Sequence, residues 1–185
     1  MAGDATITRT IHDVTQAAWF GGALMGAVSI PATRRAVDDE RQGVRVADEA
    51  WTAWQPISTT AIATHLVAGL GMSWANKARL AAETGAMRTT ALKTGLTLAA
   101  VATDAWSRRL GAELSDGMGA LPTGSATARP EEATRRDATR KRLRMAQWTT
   151  VALTGAVIAL GARMGEQQRP RSLARGIADR LGLAA

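Results

Sequence analysis

Four stretches of 17 to 19 residues, almost free of charge, constrain this chain more than any other feature of its sequence. Each has about the shortest length that lets a helix cross a hydrocarbon core roughly 30 Å thick. A water-soluble helix of this length carries a polar stripe, whereas the first and last stretches offer only Ser, Thr and Gln. The sequence therefore predicts an all-α, four-helix transmembrane bundle. Its spans are predicted at residues 14–30, 56–74, 90–106 and 145–162.

Tryptophan positions agree with these span limits. Five of the six tryptophans fall at or beside span edges, where an amphipathic indole favours the headgroup region. We therefore expect a multi-pass protein of a bacterial cell membrane, with the lipid bilayer as its main partner. The predicted interfacial anchors are Trp51, Trp54, Trp74, Trp106 and Trp148.

The low hydrophobicity of the spans leaves an alternative open. They contain Ala, Gly and Thr more than Leu, Ile and Phe, so each span alone would insert only weakly into a membrane. The alternative is a soluble, basic helical bundle with a core of small residues.

Composition excludes several classes of function. The chain has no cysteine and two histidines, which rules out disulfides, thiolate metal sites and histidine-rich metal sites. The net charge of +7 does not predict nucleic-acid binding, because the basic residues flank the apolar stretches and are not interleaved with exposed aromatic residues. No paired acids, Ser/His/Asp set or phosphate loop is present. We therefore predict no enzyme, and the sequence specifies no cofactor.

The connecting segments predict one membrane domain, residues 1–165, followed by a basic amphipathic tail, 166–185. Residues 44–54 have an apolar face that predicts a helix lying on the membrane surface before the chain enters at Pro56. The other connections are predicted as a basic hairpin at 76–89 and a flexible loop at 111–130. The side bearing 32–55 and 107–144 has more basic residues near the spans, which favours it as cytoplasmic.

Small residues recur at four-residue spacing along the spans, as in Gly22-Ala-Leu-Met-Gly26. Such faces let helix backbones approach closely in lipid. Two interpretations remain, packing within the bundle and docking of a membrane partner or a second copy. The predicted helix-packing residues are Gly22, Gly26, Gly95, Ala99 and Thr103.

His65 lies at the middle of the second span, where an ionisable group is a functional candidate. It is the one predicted cofactor-binding residue, as a haem ligand, proton relay or quinone contact; the alternative is a neutral imidazole bonded to a neighbouring helix. If the spans meet at Pro31 and Pro56, His12 lies about 14 Å from His65 in depth, so the two are not expected to share a ligand. Asp104 is expected to pair with Arg108, four residues on.

The segment Ile11-His12-Asp13-Val14-Thr15-Gln16-Ala17-Ala18-Trp19-Phe20-Gly21-Gly22 resembles the first span of copper-resistance D-type membrane proteins. The chain as a whole resembles small uncharacterised four-span membrane proteins of high-GC Gram-positive bacteria, through its HDV, WFGG and MGAV segments and Gly165–Pro170. The resemblance implies a fold and no activity. The methionine and histidine clusters that copper would need are missing, so it implies no metal site.

Two functions therefore remain at the level of sequence. The first is a non-catalytic packing or accessory subunit of a membrane assembly. The second is a small membrane carrier or redox-cofactor protein that uses His65.

Overall fold

The computed structural model describes residues 2–82, 84–119 and 130–166. Four long helices are α1 (Ala2–Arg35), α2 (Glu40–Ala75), α4 (Thr84–Gly119) and α5 (Pro130–Glu166); the short α3 (Lys77–Ala82) lies between α2 and α4. No strand occurs in these ranges. The predicted all-α, four-helix architecture is confirmed. Among the described helices, one segment, Pro130–Met164, is long and apolar enough to cross a membrane by length and composition.

A tight turn at residues 36–39 joins α1 to α2. The Asp39 carboxylate accepts a hydrogen bond from the Arg41 backbone N–H at 3.0 Å and caps the start of α2. At the other end of α2, the Asn76 backbone N–H bonds the Met72 carbonyl at 3.1 Å. We call the end of the bundle at residues 36–39 the upper end and the end at 76–83 the lower end.

Two prolines that were expected to mark span ends lie inside helices. Pro31 and Pro56 each remove one backbone donor, but α1 and α2 continue through them. The predicted surface helix at 44–54 is therefore wrong. These residues form the upper part of α2, and Trp51 and Trp54 of their apolar face pack on Gly26 and Gly22 of α1.

Two connections are shorter than expected. Residues 111–119 belong to α4, supported by an Arg109–Glu113 ion pair of 3.3 Å at i,i+4 spacing, so the predicted loop at 111–130 begins too early. The predicted hairpin at 76–89 is mostly helical, as α3 and the first turns of α4. Residues 120–129 and the predicted tail beyond Glu166 lie outside the described residues.

The four long helices form two antiparallel hairpins, α1–α2 and α4–α5. They are joined mainly along α1 and α5, whereas α2 and α4 contact each other little. The α1–α2 register follows from His12 beside His65, Gly22 beside Trp54 and Gly26 beside Trp51. The α4–α5 register follows from Thr103 beside Thr150 and Lys93 beside Gly161.

The interior of the bundle is as polar as it is apolar. Within the part of the chain that the structure describes, eight apolar side chains are buried, and five of them are alanines. Equally many polar side chains are buried, and every long helix contributes at least one. We call this set the polar track; its members are His12, Gln16, Ser58, His65, Thr97, Gln147, Thr150 and Thr154.

Large apolar side chains lie on the outside. Leu70 is 72% exposed, Val67 70% and Leu98 58%. We call the main group of them, which comes from all four long helices, the apolar belt. Its members are Ile7, Ile11, Val14, Ile57, Val67, Leu70, Trp74, Leu92, Leu98, Trp106, Met145, Trp148 and Ile158.

Candidate functional site

The structure brings His12 of α1 and His65 of α2 into direct contact. Their ring centroids are 4.0 Å apart with a 35° tilt, and both residues are only 3% exposed. The expected separation of about 14 Å is wrong because the prediction placed the turn between the two helices at Pro31 and Pro56. His12 lies 23 residues before the end of α1 and His65 lies 25 residues after the start of α2, which brings them to the same depth.

Hydrogen bonds fix the protonation of both rings at Nδ1. His12 Nδ1 lies 3.0 Å from the Asp13 carboxylate, and His65 Nδ1 lies 3.1 Å from the His12 backbone carbonyl. Both oxygens accept, so each Nδ1 carries the hydrogen and each Nε2 keeps its lone pair. Within the described residues, neither Nε2 has a hydrogen-bond partner.

Two further buried side chains of α1, Gln16 and Trp19, lie about one and two turns above His12. The Trp19 indole meets the His65 ring edge-on at 6.3 Å and is 1% exposed. Gln16 donates from Nε2 to the Thr154 carbonyl of α5 at 3.2 Å. Gln16 Oε1 and Trp19 Nε1 are buried with no partner in the described part of the chain. An orphaned acceptor and an orphaned donor, one turn apart on the same helix, suit an internal water molecule.

Charged groups gather below the histidine pair. Lys93 of α4 places Nζ 3.6 Å from where a Cβ of Gly161 would be, and within the described residues it forms no ion pair. Arg9 lies 3.7 Å from Asp13 across one turn of α1. Asp13 is therefore shared, since one oxygen faces Arg9 and the other accepts from His12.

Above the histidine pair, the polar track continues on α4 and α5. The Thr150 hydroxyl donates to the Thr103 hydroxyl at 3.0 Å, which bonds the two helices together. The Thr154 hydroxyl is fully buried and donates to the Thr150 carbonyl at 2.7 Å. From Gln147 to Thr154 the track follows α5 for seven residues, or about 10 Å.

An ion pair lies beside the upper part of the track. The expected pairing of Asp104 with Arg108 is confirmed, with Arg108 Nε donating to Asp104 at 2.8 Å. Arg108 also donates to the buried Ser58 hydroxyl of α2 at 3.0 Å. This contact connects α2 and α4, which touch little elsewhere.

The predicted helix-packing residues divide into two groups. A Cβ at Gly22 would overlap the Trp54 indole, and one at Gly26 would overlap that of Trp51. These glycines therefore pack within the chain, and Thr103 bonds Thr150. Gly95 and Ala99 face outward, since a Cβ at Gly95 would meet nothing within 4 Å and Ala99 is exposed.

Of the five predicted tryptophan anchors, two pack against α1 and three are exposed. Trp51 and Trp54 rest on the glycines of α1. Trp74, Trp106 and Trp148 are exposed by 73%, 42% and 48%, and Lys77 Nζ lies 4.3 Å from the Trp74 ring centroid.

Most of the site beyond His65 was not predicted from sequence. His12, Gln16 and Trp19 recur at four- and three-residue spacing, which places them on one face of α1. That pattern was a usable signal. No spacing signal points to Lys93, because its partners are on other helices.

Among the described residues, no group of three or more His, Cys, Asp or Glu side chains is placed to hold a metal ion. The chemistry available is hydrogen bonding and proton exchange at two neutral imidazoles. Comparison of the chain with protein-family models, curated proteins and solved structures yields no match, and function must be inferred from this geometry.

Proposed function

We propose that the chain is a four-span integral membrane protein that serves as a non-catalytic packing or accessory subunit of a membrane assembly. The observation that carries the proposal is the reversed partition of side chains, with the apolar belt outside and the polar track inside. In water, burying a side chain such as Leu70 is worth about 1.5–3 kcal/mol, so a soluble chain would turn the belt inward. In lipid the exposed belt costs nothing, and polar side chains are sheltered inside the bundle.

The helix register supports a common apolar layer, with one change in the predicted spans. Residues 90–106 of α4 lie beside about 147–163 of α5, in agreement with the predicted fourth span. Residues 56–74 of α2 lie beside about 3–21 of α1, by the contact of His12 with His65. The first span therefore shifts from 14–30 towards the start of α1. The shift brings Arg9 and Asp13 into the layer, where their exposed side chains pair with each other at 3.7 Å.

The accessory role rests on the outward face of α4. In lipid, exposed small residues such as Gly95 and Ala99 let a second helix approach closely. Because nothing in the described chain covers them, they favour a second copy or another membrane helix as the partner.

Cysteine accessibility tests the membrane proposal cleanly, because the chain has no cysteine of its own. Single cysteines replace Leu70, Leu98 and Ile158 of the belt, with Glu49→Cys and Glu113→Cys as controls. All five side chains are exposed in the structure. In membranes we expect a water-soluble maleimide to label the controls and spare the belt.

Equal labelling of belt and control positions, together with recovery of the chain in the aqueous fraction, would contradict the proposal. That result would favour the soluble helical bundle instead.

A second candidate function is a small membrane carrier that uses His65 with His12. It is favoured by a specific observation, the polar track, to which all four long helices contribute. A purely structural bundle has no need to bury two imidazoles, two amides and four hydroxyl groups.

A further inference from the structure

Tryptophans and arginines form two successive levels at the upper edge of the α4–α5 hairpin. The hydroxyl pair between the two helices sets their register, which places Trp106 of α4 at the level of Trp148 of α5. In the same register Arg109 lies at the level of Arg144, about one turn or 5 Å above the two indoles. All four side chains are exposed, Arg109 by 80%.

Further cations lie beside these arginines. Lys141 and Arg142 of α5 are exposed, as is Arg144, and within the described residues none of the three forms an ion pair. Arg109 lies 3.3 Å from Glu113, but an ion pair between two exposed side chains is weak. We call Arg109, Lys141, Arg142 and Arg144 the cationic rim.

The two helices supply no free carboxylate at the level of the rim. On α5 no acidic residue occurs between Asp137 and Glu166, and on α4 none occurs between Asp104 and Glu113. Asp137 lies one turn above the rim, and Asp104 already accepts a bond from an arginine of its own helix at 2.8 Å. The hairpin therefore leaves most of the positive charge of the rim unbalanced.

The two levels match the cross-section of a phospholipid leaflet. The headgroup region adds about 5–7 Å to each side of the hydrocarbon core. An indole favours the inner part of that region, so cations about 5 Å further out lie at the depth of the phosphates. Each lysine or arginine at this depth strengthens binding to an anionic leaflet by up to about fivefold.

The lower edge of the same hairpin has no comparable rim. Within the described residues, α4 and α5 each have one arginine below the layer, Arg88 and Arg163. The exposed tryptophan at that end, Trp74 of α2, has Lys77 Nζ 4.3 Å from its ring centroid. The concentration of cations above an indole pair is thus a feature of the upper edge.

We propose that the cationic rim binds the phosphate headgroups of anionic phospholipids, with Trp106 and Trp148 beneath it against the glycerol backbone. A zwitterionic phospholipid carries its own ammonium group and offers the rim no net charge, so the rim selects anionic lipids. The site rests on the membrane placement proposed above and adds the class of lipid that the protein prefers.

Lipid retention tests the site. The purified full chain is reconstituted in vesicles of equal parts phosphatidylglycerol and phosphatidylcholine, and flotation separates vesicle-bound from free protein. The floated protein is extracted in mild detergent, and the lipids that stay bound are counted by mass spectrometry. We expect phosphatidylglycerol to be enriched over phosphatidylcholine, and the enrichment to fall as the salt concentration rises.

A rim variant removes the three cations that lie on the helix faces of the two tryptophans, by Arg109→Gln, Lys141→Gln and Arg144→Gln. It is expected to lower the enrichment by about tenfold or more, and Arg144→Gln alone by about twofold or more.

A control variant removes the same charge from exposed positions higher in the bundle, by Arg35→Gln, Arg45→Gln and Arg135→Gln. These positions lie at least ten residues, or about 15 Å, above the spans, which exceeds the screening length of roughly 10 Å in 0.1 M salt. The control is expected to keep the enrichment of the wild type.

The outcomes separate the lipid site from the membrane placement. Wild-type enrichment in the rim variant and in Arg144→Gln overturns the site, and so does an equal loss in the control variant. Circular dichroism at 222 nm checks that the variants are helical. Protein that floats but retains the two lipids in the proportion supplied also overturns the site and leaves the membrane proposal standing. Protein that does not float removes both.

Discussion

At the scale of single residues, the same amino acid has opposite roles on neighbouring positions of α1. A Cβ at Gly22 would overlap the Trp54 indole, whereas Gly21 has open space around it. Glycine is therefore required at position 22 by the contact with Trp54, whereas at position 21 it only lowers the stability of the helix. Only the register of α2 decides between them.

Substitution by alanine separates these two glycines. Gly22→Ala forces the Trp54 indole to move and is expected to lower stability by about 1–3 kcal/mol. Gly21→Ala removes backbone freedom without a clash and is expected to raise stability by about 0.5–1 kcal/mol. Thermal unfolding in mild detergent, followed by circular dichroism at 222 nm, measures both. Equal shifts of the two variants would argue against the contact between Gly22 and Trp54.

At the scale of helices, α4 and α5 are linked by a hydroxyl pair in place of large apolar side chains. Thr150 bonds Thr103 across the interface, and Thr97 and Ala100 are buried nearby. Sequence patterning predicted the existence of these helices and the small residues along them. It did not predict their ends, because proline and glycine were read as breaks. Tertiary packing holds α1 and α2 helical through both prolines.

Removing the bonding hydroxyl tests this interface. Thr150→Val is nearly the same size but cannot donate to Thr103, and such bonds between membrane helices are worth about 0.6 kcal/mol on average. We therefore expect a small loss of stability. Thr149→Val is the control, since the Thr149 hydroxyl bonds only the Met145 carbonyl of its own helix among the described residues. A loss in Thr149→Val as large as that in Thr150→Val would rule out a contribution from the interhelical bond.

At the scale of the whole molecule, the exposed small-residue face of α4 is the surface on which the proposed assembly depends. Gly95 is exposed and a Cβ there meets nothing within 4 Å among the described residues, so the Gly95→Leu monomer is expected to keep its fold. The same side chain would hold a second helix away from that face.

Gly95→Leu is therefore expected to shift the protein to a smaller species in mild detergent, measured by size-exclusion chromatography with light scattering. Gly71→Leu is the control, because a Cβ there also meets nothing within 4 Å but lies on α2. An unchanged mass for Gly95→Leu, with a partner still attached, would exclude the α4 face as the interface.

Whether a contact could be predicted from the sequence depends on whether it lies within one helix or between two. The Asp104–Arg108 pair lies within one helix turn and was predicted correctly. The contact between His12 and His65 depends on where the chain turns, so a turn misplaced by a few residues gave a separation of about 14 Å instead of direct contact. The placement of Lys93 beside Gly161 joins two helices whose register no local pattern encodes.

The division into two hairpins has a consequence for the order in which the molecule is made. Both histidines lie on the α1–α2 hairpin, so their contact forms between helices adjacent in sequence and early during synthesis. The hydroxyl groups of Thr150 and Thr154 arrive only with α5, when it docks along α1. Until α5 is synthesised, the α1–α2 hairpin carries the histidine contact without the hydrogen bond from Gln16 to the Thr154 carbonyl.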